Sequence, residues 1–268
     1  MESQLTLTAL QTNLFWEDKP KNWQQLGHQI DGLPKTDLII LPEMFTTGFS
    51  MEAEKNAESM EGETVQWMQQ WAKKKNAAIA GSTVIKENGK CYNRFLFVSP
   101  TGEIQFYDKR HTFTLAGEDK AYATGENDGL IAYKGWKICL RVCYDLRFPV
   151  WARNASDYDV LIYTANWPHK RIAAWDALLK ARSIENMSYC VGVNRIGTDG
   201  SDLYYPGHTA VYDYMGEKVG VTKAETQDHT TVKMDRDKML LARQKLNFLN
   251  DRSESTRLNS SHVILSRM

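Results

Sequence analysis

The 268-residue chain is poor in the features that would commit it to a membrane, to nucleic acid or to a disulfide scaffold. No run approaches the roughly 18 apolar residues that a membrane helix needs. The first residues, MESQLTLTALQTNLFW, have neither a basic start nor a cleavable apolar segment, so a cytoplasmic protein is expected. Lys+Arg and Asp+Glu number 33 each, which leaves no global basic field to recruit nucleic acid or an anionic surface and points to a small-molecule partner. The four cysteines, at 91, 139, 143 and 190, include no CxxC pair, which argues against a zinc site or a disulfide framework and for free thiols. Short-period repeats and a Pro/Gly/Ser-rich linker are also missing, so one domain is expected.

What is present is an ordinary globular composition, 42% hydrophobic and 25% charged. TDLIILPEM, NAAIAGSTVI, WKICLRVCYD, DYDVLIYTANW and SYCVGVNRI are short β-rich apolar runs of the kind buried on both faces. Between them lie helical spacings: Trp23, Leu26, Ile30 and Leu33, then Thr64, Trp67, Met68 and Trp71, then Ile172, Trp175, Leu179 and Arg182. Asn88-Gly89, Pro100-Thr101-Gly102 and Met215-Gly216 mark turns between further strands, so antiparallel pairs are mixed in. An α/β layered fold with mixed sheets follows. DRDKMLLARQKLNFL reads as a final helix, and SESTRLNSSHVILSRM, from Ser253 onward, reads as a loose tail of foreign appearance after a domain spanning residues 1–252.

Three polar residues stand at the outlets of three different apolar strands: Glu43 after DLIILP, Lys109 after EIQFYD and Cys143 after KICLRV. In open α/β sheets reactive groups gather outside the carboxyl ends of strands, where loops converge over a rigid frame. The three residue types supply the parts of one mechanism. A thiol is mostly protonated at neutral pH and needs a neighbouring base or cation, roles open to Glu43 and Lys109. Attack on an amide carbon makes an oxyanion, for which the Lys109 ammonium and the backbone N–H of Tyr144 are candidate donors. Glu43, holding the thiol's proton, would return it to departing ammonia and then activate water.

The segments LPEMF, YDKRHTF and CYDLRFP resemble the Glu-Lys-Cys triad segments of the nitrilase superfamily of carbon-nitrogen hydrolases. Within it the chain looks most like bacterial omega-amidases, through LPEMFTTGF, NRFLFV, FYDKRH, CYDLRFPVWARN and YTANWP, over about Leu5 to Phe248. The resemblance implies a single-domain, four-layer αββα sandwich without metal or other cofactor, a homodimer, and hydrolysis of the terminal amide of a short omega-amido acid such as 2-oxoglutaramate or succinamate. It also implies a second glutamate between the Lys and Cys segments; Glu118 in AGEDKAYATGE matches it best, and Glu126 competes.

Other readings stand beside this one. Cys139, Cys91 and Cys190 lie in apolar surroundings and read as packing thiols. A Cys-His hydrolase would use His111, His169 or His208, none of which has a strand-outlet position like that of Glu43. Trp167, after DVLIYTA, is either pocket wall or core. Arg147, Arg171 and Arg195 are candidates to clamp a substrate carboxylate, because guanidinium offers it a bidentate fork. The rival functions are another branch of the superfamily, such as a nitrilase or a carbamoylase, and a catalytically silent binding protein of the same fold.

Overall fold

The computed structural model describes residues 3–252; the tail expected from Ser253 onward lies outside the described residues. Among the described residues, fourteen strands fall into two six-stranded sheets and one two-stranded ribbon. The first sheet holds β1 (Gln4–Gln11), β2 (Leu38–Ile40), β3 (Ala78–Glu87), β4 (Lys90–Val98) and β5 (Ile104–Asp108), closed at one edge by β14 (Asp228–Asp235) beside β1. The second runs from β6 (Leu130–Tyr133) through β7 (Trp136–Val142), β8 (Val160–Ala165) and β9 (Tyr189–Asn194) to β12 (Ala210–Tyr212) and β13 (Lys218–Val221). The ribbon pairs β10 (Ile196–Thr198) with β11 (Tyr204–Pro206). In each large sheet the central neighbours, β1-β2-β3 and β7-β8-β9, are parallel, and the outer pairs are antiparallel.

Side-chain alternation explains the layering. Leu5, Leu7, Ile40, Ala80, Phe95 and Phe97 of the first sheet pack between the sheets against Ile138, Leu140, Val142, Ile162 and Val191 of the second. Residues of opposite parity, such as Leu10, Ile39, Ile79, Leu96 and Val98, face the helices α1 (Lys19–Asp31) and α3 (Glu63–Lys75) through Leu26, Ile30, Val65 and Met68. Cys139, Leu161, Tyr163 and Cys190 likewise face α5 (Ile172–Asn186) through Trp175 and Leu179. The result is the expected mixed-sheet α/β sandwich of helices, sheet, sheet and helix. Two four-residue helices, α2 (Ala53–Asn56) and α4 (Glu118–Ala121), and the terminal α6 (Arg236–Leu246) complete the order.

The Asn88-Gly89 signal is a hairpin turn with both residues left-handed, φ 51° and 75°. Strands β1 and β14 are additions to the sequence expectation and pair along eight residues. No helix among the described residues is long and apolar enough to cross a membrane.

Candidate active site

Both sheets point strand outlets at one cleft. Strand β7 ends at Val142, and Cys143 takes a left-handed φ of 43° as the first residue of a 3-10 turn, Cys143–Arg147. For a residue with a Cβ this conformation costs about 1 kcal/mol and must be held from outside. Asp145, fully buried, does the holding. Its carboxylate accepts from Val142 N (3.0 Å), the Tyr107 hydroxyl (2.8 Å), His111 N (3.1 Å) and His111 Nδ1 (2.8 Å). The turn that presents the thiol is thus tied to the segment that carries Lys109.

Glu43 lies three residues past β2 and is fully buried, followed by Met44 at φ 44°. Its Oε1 accepts from Asn93 Nδ2 (2.8 Å) and Lys109 Nζ (3.0 Å); its Oε2 accepts from Asn166 N (2.8 Å) and Asn166 Nδ2 (3.4 Å). Lys109 Nζ also donates to both oxygens of Glu118, each at 2.9 Å, and Glu118 Oε2 accepts from Phe113 N. Of the two candidate glutamates, Glu118 is buried on Lys109, whereas Glu126 is exposed. Cys143 Sγ, partly buried, donates to the Asn166 carbonyl at 3.9 Å.

The electrostatics follow from one cation between two carboxylates. Burial opposes the Lys109 ammonium, but Glu118 and then Glu43 outweigh it and hold the lysine charged well above its ordinary range. Burial, against the pull of Lys109 and with the help of Glu43, raises the Glu118 carboxyl. Burial and then the Glu43 charge push the Cys143 thiol well above its usual value, with Lys109 opposing. The thiol is neutral at pH 7, and a base must take its proton as it attacks.

The cleft holds about 490 Å³ of empty space, including the part open to solvent. Cys143, Lys109 and Asn166 line its floor, and Phe49, Phe113, Tyr144, Trp167 and Tyr205 make its walls largely apolar. Trp167 answers to both of its sequence readings, since it is 3% exposed within the core under α5 and lines the cleft as well. Arg147 lies over the Trp167 ring and Arg171 over the Phe113 ring, each at 5.1 Å, and neither guanidinium is paired with a carboxylate among the described residues.

Arg195 is not part of this group. It is fully buried outside the cleft lining and donates to the carbonyls of Leu14, Ile196 and Thr198 and to Asn13, because a guanidinium sealed in the interior needs fixed acceptors. None of the three histidines lines the cleft. His111 is held by Asp145, His208 by Asp176, and His169 packs beside Tyr204. The sequence reading missed Asn93, Asn166 and Asp145, all polar residues buried around the triad positions; a polar residue inside an apolar strand, as Asn93 is in KCYNRFLFV, was the available signal.

Residues 6–244 match the family model described as carbon-nitrogen hydrolase. An omega-amidase of Escherichia coli, YafV, is 42% identical over 238 residues, which cover 89% of this chain and 91% of that protein. A 2-oxoglutaramate amidase of Bacillus subtilis is 30% identical, over 82% of this chain and 90% of its own. In three dimensions, a CN-hydrolase superfamily protein of Xanthomonas campestris with an arsenic adduct in its active site superposes with a TM-score of 0.91 at 37% identity, covering 94% of this chain and 98% of that one. With a family match across nearly the whole sandwich and relatives aligned over most of both chains, the chain belongs to the carbon-nitrogen hydrolase family, whose members cleave carbon–nitrogen bonds other than peptide bonds.

Proposed function

We propose that the protein is an omega-amidase: it hydrolyses the terminal amide of a small omega-amido acid, such as 2-oxoglutaramate or succinamate, to the acid and ammonia through a thioester on Cys143. The observation that carries this reading is a thiol and an ammonium lining an apolar cleft, the Glu43 carboxylate bonded to that ammonium, and two guanidinium groups, Arg147 and Arg171, that line the same cleft and have no carboxylate partner among the described residues. An apolar passage suits methylene groups. Unpaired arginines suit a carboxylate at the far end. The names of the E. coli and B. subtilis relatives point the same way.

The steps follow from the contacts. Glu43 takes the proton of the Cys143 thiol as sulfur attacks the amide carbon and the carbonyl pair moves onto oxygen. Lys109 Nζ and the backbone N–H of Tyr144 donate to that oxyanion, each such donor being worth about 3 kcal/mol. Collapse breaks the C–N bond, and Glu43 gives its proton to nitrogen, releasing ammonia and leaving the thioester. Water, deprotonated by Glu43, then attacks the thioester, and the sulfur leaves and regains the proton. Glu118 keeps the Lys109 ammonium in place throughout.

The reading is tested by ammonia release from succinamate, 2-oxoglutaramate, a neutral amide of equal length, a nitrile and an N-carbamoyl compound. Turnover of the omega-amido acids, with KM raised about tenfold or more by Arg171→Gln, supports it. Turnover of only the nitrile or the carbamoyl compound assigns another branch, and no turnover with no acylation of Cys143 leaves a binding protein. A homodimer in the cytoplasm completes the proposal. Four free thiols suit a reducing compartment, and exposed Ile184, Met215, Val219 and Val221 on α5, β13 and the turn before β13 offer an apolar face to a second copy. Light scattering at the monomer mass would remove the dimer.

A further inference from the structure

Asn93 touches both carboxylates of the site and the backbone of Lys109 yet has no part in the steps above. Its side chain, 1% exposed on β4, donates through Nδ2 to Glu43 Oε1 at 2.8 Å and toward Glu118 Oε1 at 3.4 Å, and its carbonyl accepts Lys109 N at 3.0 Å. The orientation of the amide is fixed by its neighbours, because turning it over would set Oδ1 against two carboxylate oxygens. In the orientation observed, Oδ1 is buried without a partner among the described residues. An orphaned acceptor costs stability. The residue is placed for its neighbours and not for its own satisfaction.

The need for such a donor appears when the Lys109 bonds are counted against its chemistry. An ammonium has three N–H groups, and Nζ is directed at Glu43 Oε1 (3.0 Å) and at both oxygens of Glu118 (2.9 Å each). No N–H is left for an oxyanion until one of these bonds opens. Glu43 Oε2 has its own donors in Asn166, but among the described residues Oε1 has only Lys109 and Asn93. We propose that Asn93 is a positioning residue: its amide N–H keeps Glu43 Oε1 bound while the Lys109 ammonium turns from that oxygen to the oxyanion. The base then stays in line with sulfur, and the lysine is free to move without leaving a bare buried carboxylate oxygen. This role rests on the hydrolytic cycle proposed for the site.

Because the exchange occurs only as charge develops on the substrate, losing Asn93 lowers kcat and spares KM. The test uses the full chain with Asn93→Leu, which keeps the branched shape and removes the donor, and Asn93→Ser, which is too short to reach the carboxylates. Ammonia release from succinamate is followed from pH 5 to 9, with iodoacetamide alkylation of Cys143 over the same range and the thermal midpoint as a check on folding. The expected result is a kcat lower by about 10- to 100-fold with KM within about twofold. An unchanged kcat overturns the proposal, as does a rise in KM with kcat unaffected. If Asn93→Leu does not fold, the same criteria applied to Asn93→Ser decide. Alkylation reports an intact site without any omega-amide: absence of turnover in the wild type sinks the substrate reading, whereas wild-type turnover with an unchanged kcat in the variants sinks the role of Asn93.

Discussion

Two ionic clusters share strands β4 and β5, and they contain the same kinds of group. Asn93 and Lys109 follow the parity of Phe95 and Tyr107 and lie on the side facing the second sheet; Arg94 and Asp108 follow that of Leu96 and lie on the other. Each cluster sets one cation between two carboxylates. Arg94 holds Asp108 in a bidentate pair, Nε to Oδ1 at 2.7 Å and Nη2 to Oδ2 at 2.8 Å, and Glu87 at 3.0 Å. Lys109 holds Glu43 and Glu118. The difference is where the surplus negative charge resides. Glu87 is 44% exposed at its side chain, so water screens it, whereas Glu43 and Glu118 are both fully buried. One pleat of a strand separates a cluster that fastens the sheet from one that keeps an unbalanced charge beside a thiol.

The largest expected effect breaks that pairing outright. Glu43→Gln keeps the shape of the side chain and removes the base, so kcat/KM for the omega-amide falls roughly 10⁴-fold while the chain remains folded. Asp108→Asn does the reverse. It leaves Arg94 buried with half of its bidentate partner neutralised, and urea unfolding should show a loss of about 3 kcal/mol with kcat within about threefold of the wild type. If Asp108→Asn lowers kcat as far as Glu43→Gln does, the two clusters act as one unit and the comparison fails.

The contrast also marks what could be read from the sequence. Glu43, Lys109 and Cys143 were legible because each follows an apolar strand, and a strand outlet is a position that periodicity locates. The layered α/β frame was legible for the same reason. Asp108, Lys109, Arg110 and His111 form a charge run that looks like solvated surface, and only the pleat at the end of β5 shows that Lys109 turns inward. Asn93, Asp145 and Asn166 act through partners 50, 34 and 123 residues away, a separation that no local pattern encodes. Strand β14 went unread because an edge strand with only Val232 and Met234 buried carries little apolar signal. Arg195 was misjudged because an arginine's side chain reads the same whether it ends on main-chain carbonyls or in a cleft.

The smallest effect is the sharpest probe of the buried charge itself. Burial and then Glu43 raise the Cys143 thiol, and Lys109 lowers it. A thiol held above its ordinary value reacts through a small thiolate fraction at neutral pH, so alkylation of Cys143 by iodoacetamide should keep accelerating through pH 9 without a plateau. Removing the negative charge by Glu43→Gln favours the thiolate and should make alkylation at pH 7.5 about tenfold faster, although the same variant no longer hydrolyses amides. Lys109→Met removes the opposing cation and should slow it. The Arg94 cluster supplies the control: Asp108→Asn alters a charge on the other side of the same strands and should leave the alkylation rate unchanged. Slower alkylation in Glu43→Gln would mean that Glu43 acts on the thiol chiefly as a proton acceptor and not through its standing charge, and the electrostatic half of the comparison would be lost.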